Sequence, residues 1–193
     1  MPRPVVTPER IFANLGLVEK LTLAGCLFVA SDADENDLVT GQTSYAATTP
    51  TWLLDVPKGT TAIPLYVNLA QGGSVAGGDV NIHISIDNVA RFTSGTAEKA
   101  FNFRRKTPKC GLYSTVTAAA GYGINLFTAT VGADISPAEG AVQGPYWAAE
   151  VPHFIEGPGA FMVYTYAGTT GPSWGWSIGW LELPTASLPK FEF

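Results

Sequence analysis

Between Trp174 and Pro184 the chain reads WGWSIGWLELP, and this stretch narrows the choice of fold more than any other. Successive side chains on a strand point to opposite faces, so Trp174, Trp176, Ile178 and Trp180 share one face and Gly175, Ser177 and Gly179 the other. Three of the five tryptophans therefore point one way. Just upstream, Gly159 to Gly168 (GAFMVYTYAG) is a second β-type run, and TTGPS between them reads as the turn of a hairpin. The pattern predicts a β-rich domain with the indoles as a core wall. The bare face of Gly175, Ser177 and Gly179 lets other protein approach that backbone closely, from a second layer of the domain or from a neighbouring subunit.

Other segments carry the same period. Val80, Ile82, Ile84 and Ile86 alternate with Asn81, His83, Ser85 and Asp87, the pattern of a half-buried antiparallel strand. Trp52 to Val56 reads as a strand closed by Pro57, with Lys58-Gly59 as a turn. Ile63, Leu65, Val67 and Leu69 are placed on one face of the next strand, and Pro64 within it points to a sheet edge or a bulge. Leu21 to Ala30 reads as a buried strand. Ala100 to Phe103, Leu112 to Thr117, Tyr122 to Val131 and Tyr146 to Val151 are further candidates. Thr7-Pro8 is a helix-start signal, predicting a short helix over Pro8 to Asn14.

Eight to ten short strands with glycine and proline between them predict an all-β, jelly-roll-like antiparallel β-sandwich with a short N-terminal helix and extended terminal arms. The chain of 193 residues is divided into an N-terminal arm and helix (1–20), one sandwich domain (21–183) and a C-terminal arm (184–193). Its size suffices for a core without disulfides, and Cys26 and Cys110 are read as two buried free thiols.

Charge is the informative part of the composition. Charged residues make up 14% of the chain, against about 25% in an average soluble domain. A surface so poor in charge is expected to be hidden against other subunits. The net charge of −5 argues against a general nucleic-acid binder. No apolar run reaches the ~20 residues of a membrane span, and the first residues show no secretory signal.

Motifs of chemistry are weak. Gly171-Pro172-Ser173-Trp174-Gly175 matches the letters of a hydrolase nucleophile elbow, but the serine leads into a strand and not a helix. Asp32 to Asp37 places oxygens as in a calcium loop, yet Asp37 stands where glycine is needed and Thr43 where glutamate is. It is read as a solvated acidic turn. His83 and His153 are the two histidines, too few for a cupin-type centre; His83 is placed at a surface or interface. Glu139, Glu150, Glu156 and Glu182 are candidates for a glycosidase pair that sequence cannot match up. Gly72 to Gly78 lacks the lysine of a phosphate loop. No catalytic residue, metal or cofactor is assigned.

The residues expected to make contacts are Pro2, Arg3, Pro4 and Val5 in one arm, and Leu188, Pro189, Phe191 and Phe193 in the other. The basic knot Arg104, Arg105, Lys106 and Lys109 joins them, facing a neighbour's acidic loop in preference to nucleic acid. Proline-bearing arms can lie along a neighbour at modest entropy cost.

The FMVYTYAG-TTGPS-WGWSIGWLELP stretch, the Thr/Ala/Gly-rich character and the extended termini resemble structural proteins of tailed-phage virions, of the jelly-roll capsid and capsid-decorating (cement) kind. That resemblance implies a non-enzymatic subunit located in the virion, a homo-oligomer with a trimer favoured, binding other capsid subunits. The length argues against the main shell protein of a tailed phage. A carbohydrate- or receptor-binding β-sandwich using exposed aromatics is the alternative.

Overall fold

The computed structural model describes residues 16–32, 38–72, 79–121, 123–132, 143–168, 171 and 173–187. The chain enters through helix α1 (Leu17–Leu23). The strands that follow are β1 (Leu27–Ser31), β2 (Val39–Thr40), β3 (Trp52–Val56), β4 (Thr60–Gln71), β5 (Asp79–Asp87), β6 (Phe92–Ala97) and β7 (Ala100–Asn102). Then come β8 (Gly111–Ala118), β9 (Ile124–Gly132), β10 (Gln143–Ala148), β11 (Ile155–Glu156), β12 (Gly159–Ala167) and β13 (Ser173–Pro184), and a 3-10 turn over Thr185–Ser187. The protein is an all-β sandwich of two antiparallel sheets.

One sheet has the order β10-β4-β13-β1-β7, with β11 on β4 and β2 on β13; the other has the order β6-β8-β3-β12-β5-β9. The pairing is nested. Strands β1, β3, β4 and β5 run antiparallel to β13, β12, β10 and β9 respectively, so the first half of the chain is matched in reverse by the second. Strands β6, β7 and β8 are inserted between β5 and β9 and extend both sheets at the same side: β7 beyond β1, β8 and β6 beyond β3.

The indole wall is as the alternation predicts. Trp174, Trp176, Ile178 and Trp180 are buried between the sheets, with Trp52, Ile82, Ile84, Phe161 and Val163 opposite. Trp52 and Trp176 meet across the layers with ring centroids 5.7 Å apart, and Trp180 stacks on Phe28 at 6.0 Å. Each such side chain contributes about 1.5–3 kcal/mol on burial. A second apolar cluster lies on the outer face of the β12 sheet: Leu53, Val116, Ala160, Met162 and Tyr164, with Phe92 stacked on Tyr113 at 3.7 Å. Strand β12 is thus buried on both faces.

Three expectations are corrected. Gly159–Ala167 and Ser173–Pro184 are not a hairpin: β12 pairs with β3 and β5, while β13 pairs with β1, β2 and β4 in the opposite sheet. Two runs apolar on the core side face each other across that core more favourably than they pair edge to edge. Leu21 to Ala30 is not one strand. Leu21 to Leu23 close α1, Gly25 takes a left-handed φ of 75°, and the chain restarts as β1. The Gly25 N–H bonds to Thr22 O and the Cys26 N–H to Leu21 O, each at 2.9 Å, a Schellman stop that glycine makes without strain.

Ile63, Leu65, Val67 and Leu69 do not share a face. Trp180 pairs with Pro64 and Gly179 with Tyr66, leaving Leu65 as an extra residue. Such a bulge re-phases the strand, so Ala62, Val67 and Leu69 reach the main core and Ile63 and Leu65 do not. Strand β4 is interior; Pro64 is tolerated because on that side β10 ends at Tyr66 and β11 begins at Ala62. On the bare face of β13, Tyr66 of the adjacent strand covers Gly179, while a Cβ on Gly175 would meet nothing closer than 3.8 Å. The Tyr66 ring lies where a Cβ on Gly179 would stand, and its hydroxyl is 3.4 Å from Ser177 Oγ.

Both cysteines are free; Cys110 is buried and Cys26 only half-buried. The expected helix over Pro8 to Asn14 lies outside the described residues. No helix among the described residues is long and apolar enough to cross a membrane.

Candidate functional site

Of the expected contact residues, Pro2, Arg3, Pro4, Val5, Leu188, Pro189, Phe191 and Phe193 lie outside the described residues. The basic knot is described, and the structure brings its members to the sheet edge formed by β7. Strand β7 ends at Asn102, and a turn closed by Arg105 N–H on Asn102 O carries the chain into the knot. Ala100 packs against the core, and Asn102 donates from Nδ2 to Gly25 O and Leu27 O at 3.1 and 2.7 Å. Arg104 Nε donates to Leu23 O at 2.9 Å. The intervening Phe101 and Phe103 are 56% and 76% exposed.

Two of the four cations therefore have an intramolecular task. Arg104 and Lys106, whose Nζ donates to Ala24 O at 2.7 Å, sit on the last carbonyls of α1, where positive charge complements the helix end. Asn102 Oδ1 accepts from the backbone N–H of Arg104 and Lys106 and shapes the turn, in which Arg105 adopts a φ of 57°. Lys109 is held by its backbone: Glu182 accepts from the N–H of Lys109 at 2.8 Å and of Cys110 at 3.2 Å, and from Trp180 Nε1 at 2.8 Å. Glu182 is buried and spent on these three donors. Burial first, then the Glu182 charge, push the Cys110 thiol far above its ordinary range.

Glu150 and Glu156 are exposed on the other side of the molecule, at the β10 end and on β11, and Glu139 lies outside the described residues. Ser173 opens β13, a strand, and its Oγ is 3.3 Å from Thr40 Oγ1. Of the acidic turn, Asp32 alone is described, and the Gly72 to Gly78 loop is described only at Gly72. Among the described residues no group of three His, Cys, Asp or Glu side chains could hold a metal ion.

An aromatic group on the outer face of the β12 sheet was not anticipated. Tyr45, from the segment after β2, stands with its ring 5.3 Å from His83, 5.1 Å from Tyr164 and 5.8 Å from Tyr166. His83 Nδ1 is 3.1 Å from Thr128 Oγ1, and Thr130 Oγ1 donates to Asn81 Oδ1 at 2.7 Å. Burial holds His83 below its ordinary value and pushes the Tyr164 hydroxyl up to about 12, with Tyr45 adding to the rise. The signal was in the alternation: Tyr164 and Tyr166 share a face, and Tyr164 pairs directly with His83. Pairing β5 with β12 in the sequence would have found it.

Two clefts mark the margins of the sandwich. One, of about 430 Å³, opens where β9 and β10 diverge and is lined by Leu126, Phe127, Trp147, Glu150, Val151 and His153. His153 stacks on Trp147 at 6.3 Å. The other, of about 490 Å³, lies between β2 and β6–β8 beside Trp176, with Asp32, Glu98 and Thr115 in its wall. Thr115 there has a φ of 49°, rare for a β-branched residue.

Comparison with protein-family models, with curated proteins and with solved structures gives no match for the chain. What the arrangement can do is therefore read from its own surfaces: an edge rich in aromatic and basic groups, an opposite edge rich in apolar groups, and an aromatic face between them.

Proposed function

We propose that the chain is a non-enzymatic structural subunit of a virus particle, a jelly roll that self-associates, with a trimer favoured, and binds or stabilises a shell. The nested order of β1, β3, β4 and β5 against β13, β12, β10 and β9 supports the jelly-roll reading, a frame that capsid proteins share with lectin domains. The observation that carries the assembly reading is the exposure of large apolar side chains at both ends of the sheets. Phe101 and Phe103 stand beside β7, and Ile124, Val151 and Phe154 near β9 and β10, all more than half exposed. In a chain with 14% charged residues, such groups are what a packed array covers.

The test is composition. Virus particles purified from the culture that carries the gene, analysed by quantitative mass spectrometry, contain this chain in a fixed ratio to the shell protein. Its absence from intact particles overturns the reading.

A second reading rests on the group of Tyr45, His83, Tyr164 and Tyr166 beside Asn81 and Thr128. Aromatic faces with amide and hydroxyl neighbours suit a sugar, and the frame also serves lectins. A glycan array separates the two: saturable binding lost on Tyr45→Ala favours it.

A further inference from the structure

We propose that the two edges of the sandwich bind each other head to tail between copies of this chain. The strip along β7 packs onto the cleft where β9 and β10 diverge. This rests on the assembly reading and assigns the surfaces it uses. Along β7, Ala100 turns to the core and Asn102 to the carbonyls of Gly25 and Leu27, while Arg104 in the turn that follows reaches Leu23 O. Lys99, Phe101, Phe103 and Arg105 are all exposed, putting two aromatic rings and two cations on β7 and the turn that closes from Asn102 to Arg105. Lys99 Nζ stands 5.8 Å from the centre of the Phe101 ring. Among the described residues, strand β7 is the last of its sheet and pairs with β1 alone.

The opposite margin offers the complement. Strands β9 and β10 end their two sheets there, and the cleft between them is walled by Leu126, Phe127 and Trp147. Val151 at its rim is 66% exposed; Ile124, two residues before Leu126, and Phe154, next to His153, are 62% and 53% exposed. The charges near it are acidic, Glu150 and Glu156, both exposed. Among the described residues the one ion pair is Arg91 with Asp87, so none of Lys99, Arg105, Glu150 and Glu156 is engaged in one. Apolar groups on both sides, cations on one and anions on the other, commit the occupant to a second copy of the chain. A contact between different surfaces of identical subunits is heterologous and builds a ring where the rotation closes. A nucleic-acid strand would use the same rings and cations, but the chain's net charge of −5 opposes it.

The experiment is association measured by analytical ultracentrifugation, on Phe101→Ser/Phe103→Ser (one edge) and Val151→Ser/Phe154→Ser (the other). All four residues are exposed, so the fold is retained, as circular dichroism checks. Each pair raises the self-association Kd at least about tenfold. Mixing the two variants restores a dimer, because each retains the edge the other lacks. Arg105→Glu weakens association, and Glu150→Lys in a second copy recovers it. Restoration failing on mixing, or one edge variant alone associating like the unmodified chain, overturns the edge assignment while leaving the assembly reading standing. An unmodified chain that stays monomeric overturns both. Tight binding of a single-stranded oligonucleotide, lost with Phe101 and Phe103 in a chain that does not self-associate, overturns it in favour of nucleic acid.

Discussion

The ring of Tyr66 lies across Gly179, one strand over on the outer face of the β13 sheet, and occupies the space a side chain would need there. Gly179→Ala therefore drives a methyl group into the ring and costs about 1–3 kcal/mol. Urea unfolding measures it. Tyr66→Ala removes the obstacle, so the double variant loses less than the sum of the two single losses. Additive losses would mean that the ring does not set the glycine requirement.

Glu182 answers three donors at once, the backbone N–H of Lys109 and Cys110 and the indole of Trp180. Glu182→Ala leaves buried donors without an acceptor and lowers stability by at least about 3 kcal/mol, since each orphan costs about 1–3. Glu182→Gln keeps an accepting oxygen and loses less. Equal unfolding midpoints for the two variants would contradict this.

Much of the fold was legible because period two survives on a strand whatever it pairs with. The indole face of β13 and the isoleucine face of β5 are where the alternation puts them. Pairing was less legible: β12 and β13 are adjacent in sequence and equally apolar, and only the sheet order shows that they face each other across the core. Bulges erase phase, so the placement of Ile63 and Leu65 failed at Pro64. Strand β6, FTSGTA, was overlooked because five of its six residues are exposed and carry no apolar period. At the candidate site, the basic knot was visible as composition. The inward turn of Arg104 and Lys106 depends on α1 ending at Gly25, a stop hidden inside an apolar run.

His83 is held below the ordinary histidine value of 6.5 by burial. The unfolded chain then binds more protons than the fold as pH falls through 6.5. Stability therefore declines on acidification from just above 6.5 until the folded-state value is passed, and rises again with pH. His83→Gln flattens that part of the stability profile. An unchanged slope in chemical denaturation at a series of pH values would contradict the assignment.

The two thiols differ in access. Cys110 is buried with its thiol held protonated, while Cys26 is half-buried. Thiolate is the reacting form, so a maleimide at pH 8 labels Cys26 in the folded protein and reaches Cys110 only on unfolding. Cys26→Ser abolishes the fast phase. Rapid labelling of both would contradict the buried position of Cys110.

The arm residues Leu188 to Phe193 lie beyond the last described turn. Deleting them weakens assembly and leaves the melting temperature of the sandwich within a few degrees of the full chain. Unaffected assembly would remove the arm from the account.

The central claim is that this sandwich exists to associate, and its mass in solution tests that most directly. Sedimentation equilibrium at a low and a high concentration is predicted to give a multiple of 20.4 kDa that grows with concentration toward a closed oligomer. A mass of 20.4 kDa at both concentrations would contradict it.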